Sequence, residues 1–579
     1  MSDKNGILIV QPVTLSLKGN SCVISNGILS MYWKDDGTLG LISRNGVELV
    51  RNLPGCSDTD GKGAFYVDYH AEGAFRGCRS PKLRVIENND QMAHVAYVDT
   101  TGYLAIEFHI ILMQGESGYY SYVIGANNTD SPFELSEFRI VYRCGSRIFD
   151  HAYNCERHGL QPTHKYMEQY EKLQDETYCL PDGEKYSNGA VYSKYDYAGY
   201  YSRNPVWGQY GHGYGFFVIP ASTEYYPGGP LKQELLVHYD GIVLNYFTGS
   251  HFGNGNLHVP IGWKKFYGPF YQYFNESEDP QELFQDALRQ AEFEKEKWPY
   301  QWVHDELYPL NRSSVSGRLL FGDGMPCEGA TVILGQKDLP IELQSAGYIY
   351  YTETGADGWF TLPHVRFDTY SLFAYQTGGS NTNQLQADDI VIDKVSQDLG
   401  VIVWKLPNES VIWQIGKATR TCEGYRYGGE LRNYKWMTMV PKTLHFYVRQ
   451  SKEEEDWYYA QTNMGSWYIH FQMDSVPEDK CYLIIAIAGA SRAGTDNRDL
   501  PCLSVYLNDR LLEEAVFVND GAVYRSATQN GRYRRMKIIV DPSVLCEGEN
   551  IIELRTQGGS FMYDTILLTE ESISVNSSI

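Results

Sequence analysis

The chain has 579 residues and carries 72 acidic against 49 basic side chains, a formal net charge of −23. Nucleic acids and anionic membranes select basic surfaces, so neither is expected as a partner. No apolar run is long enough to cross a bilayer as a helix.

A chain of this length suggests three or four domains. It holds 47 tyrosines, 23 phenylalanines and 11 tryptophans among 55 glycines. Aromatic residues broken up by glycine favour β-structure, and aromatic faces also pack on sugar rings. The net charge is awkward for any other anionic partner too, because a local cationic pocket would have to overcome the overall field. At physiological salt the overall field is screened beyond roughly 8 Å, so a local cationic pocket decides. The start, MSDKNGILIVQPVTLSL, lacks the basic end and apolar core of an export signal, which leaves a cytoplasmic location open. The 11 cysteines show neither metal-like spacing nor a disulfide framework. Cys22, Cys144, Cys327 and Cys481 sit in or beside strand-like runs and read as small core residues.

Residues 1–305 read as one large antiparallel β-sandwich closed by a helix. Strands are expected at 8–10, 22–25, 28–33, 83–86, 93–98, 104–112, 119–124, 138–141, 215–219, 234–238 and 243–247. The run LAIEFHIIL at 104–112 alternates as a strand with one face on a core. Asp36-Gly37 and Asn45-Gly46 suit hairpin turns. No helical pattern separates these strands, which argues against parallel βαβ units. The helix is expected at 281–297, capped by Asp279 with Pro280 at its first position. Its apolar stripe is Leu283, Phe284, Ala287, Leu288, Ala291 and Phe293. Residues 302–312 read as a linker.

Residues 306–407 hold short strands divided by glycine and proline, which suits a small immunoglobulin-like or fibronectin-like sandwich. Residues 408–579 hold the runs WYIHFQM, CYLIIAIAGA, LSVYLND, RMKIIVD and IIELRTQ, which suit a jelly roll.

Motifs spread along the whole chain in fixed order resemble those of the rhamnogalacturonan lyases of polysaccharide lyase family 4. They include GGPLKQELLVH (228–238), WKKFYGPFYQYFN (263–275), EKEKWPY (294–300), SGRLLFGDGMPCEGATVIL (316–334), IWQIG (412–416), LIIAIAGAS (483–491) and GENIIEL (548–554). The resemblance implies a mutarotase-like β-sandwich, a fibronectin-type-III-like domain and a carbohydrate-binding-like jelly roll. It also implies β-elimination at the rhamnose-α-1,4-galacturonic acid bond of rhamnogalacturonan I, an acidic plant cell-wall polysaccharide, and a secreted or periplasmic location.

The family's catalytic lysine and histidine correspond to Lys194, in SKYDY, and His238, in LLVHYDG. The commonest pattern has Ser before the histidine and Val-Gly after it, where this chain has Val237 and Tyr239-Asp240. β-Elimination removes the C5 proton of a uronate and expels the oxygen on C4. The enzyme must neutralise the uronate carboxylate and supply a base near C5. Lys194 is read as that base and His238 as the acid, with the reverse roles open. An arginine fork suits the carboxylate. Arg139, in SEFRIVYR, resembles an arginine carried on the corresponding strand of the family, and Arg143 is the close alternative, because four residues apart in a strand the two share a face. Tyr195, Lys232, Gln233 and His251 are further candidates for substrate contact. No catalytic metal and no required cofactor is expected. The acidic run Asp130, Glu134 and Glu137 reads as a solvated loop and leaves a structural calcium open. The alternatives are a lyase for another uronate polymer, a non-catalytic carbohydrate-binding protein and, least supported, a sugar epimerase.

Overall fold

The computed structural model describes residues 11–50, 64–78, 80–181, 185–186, 189–249, 251–253, 255–431, 439–462, 464–492, 500–525 and 529–571. The expected strand at 8–10 lies outside the described residues.

The first unit is built from a nine-stranded and a seven-stranded antiparallel sheet packed face to face, with a five-stranded meander over residues 14–48 at one side. Between them lies one large core, from Trp33 and Phe108 to Phe138, Tyr142, Val243 and Phe247. In the meander, Asn45 and Gly46 both take positive φ, 50° and 85°, which suits the right-handed twist of a two-residue hairpin. The strand Leu104–Met113 alternates between two faces, and near its end both faces are apolar. Ile110 and Leu112 face the central core while Ile111 faces a second apolar layer on the outer side of the nine-stranded sheet.

That second layer is made by the helix Pro280–Lys297. The Asp279 side chain caps it by accepting from the Gln281 N–H at 2.9 Å. Leu283, Phe284, Ala287, Ala291 and Glu294 are its buried residues, a run of one, three, four and three steps that holds one face. Phe293 falls off this face and is 51% exposed, which corrects its place in the expected stripe. Glu294 takes the buried position instead, accepting the Tyr120 and Tyr300 hydroxyls at 2.9 and 2.7 Å. The segment after the helix is irregular but docked: Tyr308 and Arg312 are buried, so it is no free linker.

The second unit packs a three-stranded sheet on a four-stranded one. Its strand Ser313–Phe321 runs parallel to Ser396–Trp404. The third unit packs a four-stranded sheet on a five-stranded one around Trp413, Trp457 and Trp467. Cys22, Cys144, Cys327 and Cys481 are buried, as expected of small core residues.

The units meet through specific polar contacts. Glu224 of the first unit is buried and accepts Arg312 at 2.6 Å and Arg366 at 2.8 Å. Burial would raise its carboxyl, but the two guanidinium groups outweigh that and bring it down to about 2. The buried Lys265 ammonium donates to the Tyr225, Ser345 and Gly347 carbonyls at 3.0, 2.9 and 2.6 Å. Asn530 of the third unit receives the Tyr200 hydroxyl at 2.6 Å and the Gln233 amide at 2.8 Å.

Candidate active site

The outer face of the seven-stranded sheet carries the candidate residues. His238 pairs with Ile242, and Ile242 pairs with Arg143, so the three stand in one row across adjacent strands. Residues paired this way point to the same face, which sets His238 and Arg143 about 10 Å apart across two strand spacings. In the next row but one, Arg139 sits between Asp68 and Tyr246. Tyr66, Val141, Tyr195, Ile242, Leu244 and Tyr246 form the apolar floor between these polar groups.

Lys194 arrives from a separate three-stranded sheet of Lys172–Gln174, Thr177–Cys179 and Val191–Ser193, directly after the last of these strands. Its side chain is 16% exposed, and its Nζ donates to Glu176 Oε1 at 3.1 Å. Its backbone N–H donates to the Glu176 carbonyl at 3.1 Å, so lysine and carboxylate are held together twice. Glu176 occupies the tight turn between the first two strands with φ +43°, a conformation that side chains rarely adopt and that surrounding contacts must enforce. Its other carboxylate oxygen accepts the Tyr239 hydroxyl. Burial raises the Glu176 carboxyl, but Lys194, the Tyr239 hydroxyl and His238 outweigh it and lower it to about 2.

His238 ends the strand Gln233–His238 and is half-buried. Burial, with the Lys194 ammonium close enough to add repulsion, lowers its imidazole to about 3. Its Nδ1 lies 3.0 Å from the Tyr239 carbonyl, which can only accept, so the proton of the neutral ring sits on Nδ1. Nε2 then carries the lone pair. Gln161 donates to the His238 carbonyl at 3.1 Å and fixes the strand end.

The two arginines differ in their partners. Arg139 donates to Asp68 at 2.7 Å, lies 2.9 Å from Glu137 and contacts the Tyr246 hydroxyl, so two protein carboxylates already occupy it. Arg143 donates from Nε and Nη2 to the Tyr66 hydroxyl at 3.1 and 2.9 Å. Among the described residues it has no carboxylate partner. Lys232 is buried against Glu234 at 3.1 Å and the Gly249 carbonyl at 3.2 Å, and Gln233 is buried against Asn530. Tyr195 is buried with its hydroxyl on Asp175 at 2.9 Å. His251 lies between Glu234, at 2.7 Å, and Glu137, at 3.6 Å. Lys194, His238 and Arg143 therefore share an accessible part of the face, while Lys232, Gln233 and Tyr195 spend their polar atoms inside the protein. Asp130, Glu134 and Glu137 do not converge: Asp130 is exposed, Glu134 pairs with His258 at 2.7 Å, and Glu137 pairs with Arg139. No cluster of three or more potential metal ligands occurs among the described residues.

Sequence reasoning missed Glu176 and Tyr239. The three-residue strands around Glu176 are too short to show a period, and the only local signal is the acidic pair Asp175-Glu176 between them.

Comparison with known proteins identifies the family. The family models for polysaccharide lyase family 4 match domain II at residues 323–398 and domain III at residues 411–568. A rhamnogalacturonate lyase of Dickeya dadantii is 40% identical over 561 residues, 96% of this chain and 95% of that protein. A probable rhamnogalacturonate lyase B of Aspergillus flavus is 23% identical over 625 residues, 93% of this chain and 92% of its own. At that identity over nearly the full length of both chains, the protein belongs to polysaccharide lyase family 4.

Proposed function

We propose that the chain cleaves the rhamnose-α-1,4-galacturonic acid bonds of rhamnogalacturonan I by β-elimination, with Lys194 and His238 as the proton-transfer pair. The observation that carries this reading is that Glu176 joins Lys194 to Tyr239, whose ring centroid lies 3.9 Å from that of His238, with Arg143 in the row of His238. The C5–H electrons form the C4=C5 double bond, the C4–O4 bond breaks, and O4 takes a proton. Arg143 is assigned to the uronate carboxylate, where it offsets the charge that builds as C5 loses its proton. The reading uses the chain's own side chains and no cofactor. Its polymer is a plant cell-wall component, so the working enzyme acts outside the cytoplasm.

The pair carries one proton between its two basic atoms. With Lys194 as base and His238 as acid, the proton must first pass from the ammonium to Nε2 of His238. The reverse order is favoured by one observation, the Nδ1–H bond to the Tyr239 carbonyl, which leaves Nε2 ready to accept. The test of the reaction is the ultraviolet absorbance of the conjugated C4=C5 uronate, which hydrolysis cannot make. Wild type on purified rhamnogalacturonan I should raise it, and Lys194→Ala or His238→Ala should not. No rise with wild type on this or any other uronate polymer would leave the carbohydrate-binding alternative.

A further inference from the structure

The turn that positions Lys194 has two acidic neighbours facing opposite ways. Glu176 reaches back to Lys194 and Tyr239. Asp175 reaches out to the third unit: its Oδ2 accepts from Arg525 Nε at 3.1 Å and from the Tyr195 hydroxyl at 2.9 Å. Arg525 Nη1 also lies 3.4 Å from the His251 carbonyl. The ring of Tyr195 stands between two cations, with Lys194 Nζ at 5.1 Å and the Arg525 guanidinium at 5.7 Å from its centroid.

Arg525 is itself firmly placed. The buried Asp520 carboxylate accepts the N–H groups of Ala490, Ala522 and Arg532 at 2.8, 2.9 and 3.1 Å. Ala522 is fully buried in the apolar floor of the first unit's sheet face. Asn530 is held by Tyr200 and Gln233. Anchors thus flank Arg525 on both sides along the chain. An exposed ion pair contributes little by itself, but Arg525 and Asp175 are only 22% and 17% exposed and both are part of a network.

We propose that Arg525, carried by the third unit, is a positioning residue for Lys194: through Asp175 it fixes the turn from which Glu176 holds the ammonium. This rests on the reading of Lys194 as catalytic. Arg525 touches no reacting atom in this assignment. The third unit then completes the active site rather than only binding polymer beside it.

The experiment measures kcat and KM by ultraviolet absorbance on rhamnogalacturonan I for the full chain, Arg525→Ala, Arg525→Lys, Asp175→Asn and the Arg525→Ala/Asp175→Asn double variant, with thermal melts of each. A misplaced catalytic group lowers rate steeply, so Arg525→Ala is expected to lose about 10- to 100-fold in kcat with KM little changed. Arg525→Lys should recover part of that loss, and the double variant should be no worse than either single one. Asp175→Asn keeps Arg525 in place and probes the same link from the other side if Arg525→Ala does not fold. An unchanged kcat in Arg525→Ala or in Asp175→Asn overturns the proposal. So does a loss confined to KM, which would make Arg525 a substrate contact, and so does full additivity in the double variant. An inactive wild type fails the functional reading instead, so the two failures are told apart.

Discussion

Lys194 Nζ lies 3.1 Å from Glu176 Oε1, and the backbone N–H of Lys194 donates to the Glu176 carbonyl at the same distance. The catalytic candidate is thus aimed by a residue of a different strand turn. Glu176→Gln keeps the shape and removes the charge. The expected outcome is a kcat about 10- to 100-fold lower with KM within about twofold, because the amine is no longer held in place. Steady-state kinetics by ultraviolet absorbance checks it.

The order of proton transfer can be separated by leaving group. A variant lacking the acid regains rate when O4 carries a group that leaves without protonation, whereas a variant lacking the base does not. If Lys194 is the base, His238→Ala recovers on such an activated substrate and Lys194→Ala stays inactive. The opposite pattern assigns the proton acceptor to His238 Nε2.

The two arginines should fail in different ways. Arg143→Ala removes a guanidinium with no protein carboxylate among the described residues, so kcat/KM should fall while the melting temperature holds. Arg139→Ala strands Asp68, whose side chain is 1% exposed, and Glu137. Breaking such a buried pair costs about 3–5 kcal/mol, which chemical denaturation reads directly.

Glu224 joins Arg312 and Arg366 at the junction of the first two units. Glu224→Gln leaves two buried guanidinium groups without a counter-charge. A loss of about 3 kcal/mol or more is expected in denaturant unfolding, with activity intact at low temperature.

Stability should fall steeply in acid. Glu176, Glu224 and Glu234 are lowered from 4.5 to about 2, so they contribute stability above pH 4.5 that is lost as pH falls towards 2. His94 and His238, lowered from 6.5 to about 3, stay neutral when folded and act in the same direction below pH 6.5. Burial raises Asp196 to about 8 and Asp564 to about 7, and these work the opposite way, losing stability as pH rises from 3.8. The two sets offset each other between pH 4.5 and 6.5. Melting temperature should therefore be nearly level there and drop below pH 4.5; a steady decline from pH 6.5 would contradict it.

Much of the sheet architecture was legible because its strands are long and their alternation survives. The run 104–112 and the helix cap at Asp279 were both readable, and Lys194 and His238 followed from motif resemblance. Phe293 was misplaced because adjacent helical residues differ by about 100° and Glu294 competes for the buried face through two tyrosine hydroxyls. The strands His151–Asn154, Arg157–Leu160 and Thr177–Cys179 were missed because three or four residues show no period. The partners of Lys194 sit there and next to His238, where sequence offers residue types but not directions. Lys232 looked like a sugar contact after its Gly-Gly-Pro turn; it is instead buried against Glu234 and the Gly249 carbonyl, 17 residues on, which the turn motif does not reveal.

The burial of Ala522 in the first unit's sheet face has a consequence for how this protein can be cut and recombined. Small β-sandwiches are often inherited as interchangeable beads. Here the third bead contributes Ala522 to an apolar cluster that includes Tyr66, Val141 and Tyr246, so a fragment ending before it would uncover part of that cluster. Gene fusions and truncations should respect all three beads together, and a swapped third bead must bring its own Ala522-like plug to be tolerated.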